Sequence, residues 1–133
     1  MKTHTGGCLC GKVRYSLRGE PFRYGVCHCA DCRKESGSVM TVWAQWRRED
    51  FELIGAYETY KGRSFCPTCG SRLFNLQSDA VEIRVGGLDD APTGLGAPPI
   101  EAWTIRREPW LAPVPGAEQS ERDPPKPGST GRM

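Results

Sequence analysis

The segments C-P-T-C-G at residues 66–70 and C-L-C-G at residues 8–11 are the strongest indication of how this chain folds. In each segment one or two residues separate two cysteines, and the segment ends in glycine, which accepts a positive φ at little cost. A turn of this kind, a zinc knuckle, directs both sulfurs toward one point, and Pro67 fixes its own φ within the second knuckle. The two knuckles predict one four-cysteine zinc site made by Cys8, Cys10, Cys66 and Cys69.

This four-cysteine site would join parts of the chain that lie more than fifty residues apart. Closing so long a loop removes freedom from the unfolded chain, and structural zinc contributes on the order of 10 kcal/mol in small peptides. A chain of 133 residues with 38% hydrophobic residues has a modest core, so we expect the metal to be part of the fold. Breaking the site should unfold the domain.

A third group, C-H-C-A-D-C at residues 27–32, holds the other three of the seven cysteines and has no knuckle glycine. Cys27 and Cys29 lie across an extended step and Cys32 follows a short turn, so three sulfurs can share one ion. A zinc ion with three protein ligands keeps one position open, as in catalytic sites. The odd cysteine count and the short spacings disfavour a disulfide framework. The sequence therefore predicts a closed structural site and an open site.

The residues around the central cysteines leave alternatives open. Neighbouring side chains of an extended segment point to opposite faces, so His28 should aim away from the metal. Three roles stay open for it: a fourth ligand, a contact that supports the metal ligands or touches substrate, or a packed and hydrogen-bonded histidine. Ser36, Gly37 and Ser38 either line a substrate pocket or form a turn into the next strand, and the turn is favoured.

The chemistry of a three-thiolate site favours thiol substrates. Three thiolates reduce the Lewis acidity of zinc and suit a soft incoming ligand. A thiol at the fourth position would lose its proton and become the thiolate that attacks electrophilic carbonyls. H-E-x-x-H and G-x-S-x-G are absent, so zinc-peptidase and serine-hydrolase chemistry lack their defining residues.

The rest of the chain predicts a mainly β fold with short helical turns. Residues 11–18, G-K-V-R-Y-S-L-R, alternate apolar and polar side chains with the period of a half-buried strand. Further strands are predicted at residues 22–26, 39–46, 51–54, 57–60, 72–76 and 81–85. Short helical turns are expected at residues 30–35 and 47–50.

Length and composition predict one zinc-binding domain over residues 1–112, followed by a tail at residues 113–133. The tail has five prolines and hardly any apolar side chains to bury, so we expect it to be Pro-rich and disordered.

The formal charge of +2 becomes about −1 when seven thiolates bind two zinc ions. Charges of both signs are mixed, as in R-R-E-D at residues 47–50, so no nucleic-acid partner is predicted.

No apolar run reaches the roughly 18 residues that span a bilayer, and the start M-K-T-H-T-G-G-C lacks the apolar stretch of a signal peptide. We therefore expect no membrane partner and a cytoplasmic location, where thiols remain available for metal. The sequence indicates no particular oligomeric state.

Three segments in this order resemble the glutathione-dependent formaldehyde-activating enzyme family, also called the centromere protein V family. They are G-G-C-L-C-G-K-V-R-Y at residues 6–15, C-H-C-A-D-C-R-K-E-S-G-S at residues 27–38 and F-C-P-T-C-G-S-R-L-F at residues 65–74. G-G-L-D-D at residues 86–90 and P-W-L at residues 109–111 are weaker matches, and the resemblance covers about residues 5–111.

The resemblance implies an Mss4-like, or β-tent, fold with a structural zinc on Cys8, Cys10, Cys66 and Cys69. It also implies a second zinc on Cys27, Cys29 and Cys32, to which glutathione or another thiol is recruited. The implied activity is that of a carbon-sulfur lyase, in which glutathione adds to formaldehyde and gives S-hydroxymethylglutathione. The alternatives are a non-catalytic zinc-binding protein or interaction module with both zincs structural, and a redox or zinc-buffering role for the central thiols.

Overall fold

The computed structural model describes residues 1–124, which form two compact units. The first unit comprises residues 1–22 and 44–94, and the second comprises residues 23–43 and 95–124. Strands account for most of the regular structure, so the predicted mainly β fold is confirmed. Within residues 1–124, no helix combines the length and the apolar character needed to cross a bilayer. The last part of the predicted tail, residues 125–133, lies outside the described residues.

The described residues contain eleven strands, one α-helix and three 3-10 turns. In chain order the strands and the helix are β1 (Thr3–Gly7), β2 (Arg14–Arg18), β3 (Arg23–Cys27), α1 (Ala30–Ser36), β4 (Thr41–Arg47), β5 (Phe51–Ile54), β6 (Glu58–Tyr60), β7 (Arg63–Phe65), β8 (Arg72–Leu76), β9 (Ala80–Arg84), β10 (Ile100–Ala102) and β11 (Glu118–Ser120). The 3-10 turns are Arg48–Asp50, Val85–Gly87 and Thr104–Arg106.

The first unit contains two sheets. One is antiparallel with the order β1, β2, β5, and the other runs from residues 44–47 of β4 through β9, β8 and β7 to β6. Alternation in β2 buries Tyr15 and Leu17, as the period-two pattern predicts. Phe74 of β8 lies 5.2 to 6.4 Å from the rings of Tyr15, Phe51 and Tyr57, measured between centroids. This aromatic cluster forms the centre of the unit's core.

The second unit orders its strands as β11, β10, β3 and residues 41–43 of β4. β3 is parallel to β10, with Gly25 opposite Ile100 and Cys27 opposite Ala102. A Cβ at Gly25 would lie 2.7 Å from the Trp43 ring, so the close packing of this strand requires glycine. β3 is buried over its first four residues, and its last residue, Cys27, is half-buried. Cys27 therefore lies at the edge of the core, at the end of β3.

Paired strand structure continues beyond residue 112, where the sequence predicts that the domain ends. β11 pairs in parallel with β10, with Ile100 opposite Glu118 and Ala102 opposite Ser120. The backbone N–H of Val114 also donates to Glu101 Oε1 across 2.9 Å. The sequence predicts a solvated tail here because the segment has few apolar side chains. In the structure, residues 114–120 are held mainly by backbone hydrogen bonds and by one buried carboxylate, and these contacts need few apolar side chains.

Candidate metal centres

Two knuckles of the first unit bring the outer cysteines together. Cys8 and Cys10 lie between β1 and β2, and Cys66 and Cys69 lie between β7 and β8. Gly11 has φ of 83° and Gly70 has φ of 78°, which confirms the left-handed conformation expected after the second cysteine of each pair. The N–H of Gly70 donates to the Cys66 carbonyl across 2.8 Å, and this hydrogen bond closes the second turn.

The four sulfurs of this cluster lie close enough together to share one metal ion. All four Sγ atoms lie within 4.8 Å of one another. Sγ of Cys10 is 3.5 Å from Sγ of Cys8 and 3.7 Å from Sγ of Cys66. A tetrahedron with zinc–sulfur bonds of 2.3 Å has edges of about 3.8 Å, so the donor set fits zinc in both chemistry and spacing.

Polar contacts from the first unit support these sulfurs. The N–H of Val13 donates to Cys8 Sγ across 3.2 Å. Oγ of Ser71 lies 3.2 Å from Cys69 Sγ, and hydrogen bonds from the side chain and backbone of Ser71 lower the pKa of Cys69 to about 5. Both contacts favour the thiolate form, which is the form that binds metal.

The central cluster forms where β3 ends and α1 begins. Cys27 is the last residue of β3, Cys29 is the N-cap of α1, and Cys32 lies in the first turn of the helix. The N–H of Cys32 donates to Cys29 Sγ across 3.3 Å. The three sulfurs lie within 4.8 Å of one another, and all three residues are half-buried. Their side chains are therefore grouped and remain partly open to solvent.

The donor set of the central cluster also fits a soft divalent cation. The hydrogen bond with Cys32 and burial raise the pKa of Cys27, and burial raises the pKa of Cys29. Thiols with a raised pKa become thiolates when a positive ion lies between them. Sulfur ligands favour zinc over magnesium or calcium.

The side chain of His28 lies in the interior of the second unit. Its side chain is fully buried, and its Nε2 lies 2.7 Å from Oε2 of Glu101. Within residues 1–124, the group of candidate ligands at this site contains the three sulfurs and does not contain His28. Of the three roles left open by the sequence, the packed and hydrogen-bonded histidine matches these contacts.

Ser36, Gly37 and Ser38 form the turn that ends α1. Gly37 has φ of 73°, and its N–H donates to the Arg33 carbonyl across 2.8 Å. Oγ of Ser36 donates to the Cys32 carbonyl across 2.7 Å and accepts the N–H of Ser38 across 3.1 Å. Of the two roles considered for these residues, the turn matches these contacts.

Sequence reasoning missed Glu101, which is the polar centre of the second unit. Its side chain is 2% exposed, although glutamate is seldom fully buried without partners. The only sequence signal is a single acidic residue inside the apolar segment I-E-A-W at residues 100–103. This signal does not indicate that Glu101 lies near the segment with the central cysteines, because Glu101 and His28 are 73 positions apart in the chain.

Two comparisons relate the chain to known proteins. A family model described as glutathione-dependent formaldehyde-activating enzyme matches residues 3–106. A crystal structure of a Rhodobacter sphaeroides protein, solved in a structural genomics programme, has 21% sequence identity and a TM-score of 0.52. The match covers 71% of this chain and 96% of that chain, and at this identity it shows the fold alone. No curated protein matches the chain.

Proposed function

The chain belongs to the glutathione-dependent formaldehyde-activating enzyme family, and on that premise we propose that Cys27, Cys29 and Cys32 recruit glutathione and promote its addition to formaldehyde. The activity is that of a carbon-sulfur lyase, and another thiol or small electrophile is compatible with the same chemistry. We assign zinc to both cysteine clusters, with a structural role for the first. A cytoplasmic location is part of the proposal, supported by seven cysteines of which none forms a disulfide.

The difference between the two clusters carries the proposal. Cys8, Cys10, Cys66 and Cys69 provide the number of sulfurs that a closed tetrahedral zinc site requires. The central group provides three sulfurs, and the histidine within it contacts Glu101 instead. A site with three half-buried protein ligands suits an exchangeable fourth ligand, whereas a site with four suits a purely structural ion.

The protein's own residues prepare the central site for a thiol. When bound there, zinc would leave one position for an incoming thiol and would lower the pKa of that thiol. Cys27 is held by the pairing of β3 with β10, and Cys29 and Cys32 are held by the first turn of α1. Because the three sulfurs are fixed before substrate arrives, little ordering remains to be done when the thiol binds.

The net reaction needs no oxidant or reductant. The glutathione thiol gives up its proton, and its sulfur forms a bond to the carbon of formaldehyde. The electron pair of the carbonyl double bond moves to oxygen, which takes up a proton, and the product is S-hydroxymethylglutathione. The site therefore has to favour the thiolate and bring it close to the electrophile.

The rate at which glutathione and its formaldehyde adduct interconvert at equilibrium tests the proposal. We expect zinc-loaded protein to accelerate the exchange between glutathione and its formaldehyde adduct, recorded by NMR exchange spectroscopy, and Cys32→Ser to remove the acceleration. Ser38→Ala is the matched control, because Ser38 is exposed and lies just beyond the same helix. Equal rates with and without the wild-type protein, or full acceleration by Cys32→Ser, would contradict the proposal.

A further inference from the structure

His28 and Glu101 form a buried pair beside the central cysteines. Their side chains are 0% and 2% exposed, and Nε2 of His28 lies 2.7 Å from Oε2 of Glu101. An ionised carboxylate only accepts hydrogen bonds, so the histidine donates through its Nε2–H. The other ring nitrogen, Nδ1, is also buried and has no hydrogen-bond partner in the described part of the chain. The ring is therefore held at one end, by Glu101.

Glu101 accepts three hydrogen bonds and forms one ion pair. Its Oε1 accepts from the backbone N–H of Val114 at 2.9 Å and from the side-chain amide of Gln119 at 3.0 Å. Its Oε2 lies 2.7 Å from His28 and 3.3 Å from Nη1 of Arg107. Burial alone would raise the pKa of Glu101, but these donors together lower it to about 2. The carboxylate is therefore ionised and fixed in place at neutral pH.

Two kinds of contact connect Glu101 to the cysteine segment. The backbone of β10 pairs with β3, and the N–H of His28 donates to the Ala102 carbonyl across 3.1 Å. The side chain of Glu101 then holds the His28 ring from the interior. His28 lies between Cys27 and Cys29, whose sulfurs belong to the central cluster, so fixing the His28 side chain also fixes the backbone on either side.

We propose that Glu101, held by Val114 and Gln119, is a positioning residue for the central metal site and acts on the cysteines through His28. The segment from Val114 to Gln119 thus supports the site, although its composition predicts a solvated tail. The inference rests on the proposed metal-binding role of Cys27, Cys29 and Cys32. It adds Glu101 as a residue outside the cysteine cluster that sets the zinc affinity and the geometry of that site.

The arrangement requires a carboxylate at this position and not merely a side chain of the same size. A glutamine at position 101 that turns its amide NH₂ toward His28 forces the ring hydrogen onto Nδ1, where no acceptor lies among residues 1–124. A glutamine turned the other way sets its NH₂ against the donors of Val114 and Gln119. Either orientation leaves a buried polar group unpaired, which is costly in the protein interior.

Chelator competition on the zinc-loaded full chain tests this inference. We expect Glu101→Gln to lower the zinc affinity of the central site by about tenfold, the lower end of the range seen when groups bonded directly to metal ligands are removed, because Glu101 acts on the ligands through His28. The zinc of the four-cysteine site should keep its affinity, and the far-ultraviolet circular dichroism spectrum should stay unchanged. Cobalt-substituted Glu101→Gln should also show shifted ligand-field bands for the central site, which a general loss of stability would not produce.

Two further variants complete the test. Glu20→Gln is the matched control, since Glu20 contacts the other histidine, His4, across 3.2 Å in the first unit. It should leave the central site unchanged. Gln119→Ala removes one donor to Glu101 from an exposed position, so it should weaken the central site in the same direction, by a smaller factor, even if Glu101→Gln does not fold.

The outcomes separate this inference from the proposed function. Wild-type central zinc affinity in both Glu101→Gln and Gln119→Ala would overturn the positioning role while leaving the proposed function intact. A wild-type protein that holds only one zinc per chain would overturn both. Selective loss of central zinc in the two variants, with Glu20→Gln unaffected, is the result that the geometry predicts.

Discussion

The backbone N–H of Leu9 donates to Oγ of Ser71 across 2.9 Å, although the two residues are 62 positions apart in the chain. This hydrogen bond joins the first knuckle to the second without any involvement of a metal. The same hydroxyl lies 3.2 Å from Cys69 Sγ, so Ser71 both connects the knuckles and contacts a cysteine of the cluster. The four-cysteine site is thus partly organised by ordinary hydrogen bonds.

Ser71→Ala should therefore weaken the first unit. Loss of these two hydrogen bonds should lower the free energy of unfolding by roughly 1–3 kcal/mol, since a typical net contribution is about 1 kcal/mol for each. Urea unfolding of the zinc-loaded protein measures the change. Ser38→Ala, an exposed serine beyond α1, is the control and should change stability little. Equal stability of the two variants would argue against a role for Ser71 in joining the knuckles.

The glycine that closes the second knuckle gives a second prediction. Gly70 has φ of 78° and Gly86 is outside the left-handed region, while a Cβ at either position would have no neighbour within 4 Å. The two sites therefore differ in backbone conformation and not in available space. Gly70→Ala should cost about 1–2 kcal/mol of stability, whereas Gly86→Ala should cost little. Similar denaturation midpoints for both variants would contradict the assigned knuckle conformation.

Serine substitution separates the roles of the two cysteine clusters. Cys66→Ser should abolish cooperative folding, because Cys66 is buried within the four-sulfur site that joins the two knuckles. Cys29→Ser should keep the fold and lose the acceleration of glutathione exchange with its formaldehyde adduct. Near-ultraviolet circular dichroism measures the folding of both variants, and NMR exchange spectroscopy measures the acceleration by Cys29→Ser. Unfolding of both variants to the same extent would contradict the division into a structural and an open site.

Most strands could be predicted from the sequence, including β3 and β8, whose side chains do not alternate between buried and exposed. β5 and β8 have the predicted limits, and β2 lies within the predicted strand. β1 was missed because T-H-T-G-G contains two glycines, which disfavour strands. Glycine is nevertheless required in β1, since a Cβ at Gly6 would lie 2.5 Å from the Gly87 carbonyl oxygen. Such a close approach arises only from long-range pairing.

The cysteine groups could be predicted because ligand chemistry is carried by residue type and short spacing. Cys27, Cys29 and Cys32 lie within six residues, so their grouping depends on local structure alone. Glu101 and Gln119 could not be predicted, because they meet through parallel pairing of β10 with β11. A parallel pair requires a long connection, and no local pattern indicates which strands will meet.

The number of sulfur atoms around zinc tests the central claim, that the central site takes up a substrate thiol. Zinc X-ray absorption on the two-zinc protein should give an average of about 3.5 sulfurs per zinc, from one four-sulfur and one three-sulfur site. Saturating glutathione should raise this average to about 4, whereas S-methylglutathione, which has no free thiol, should leave it unchanged. An average of 4 before glutathione is added, or one that glutathione does not change, would contradict the account.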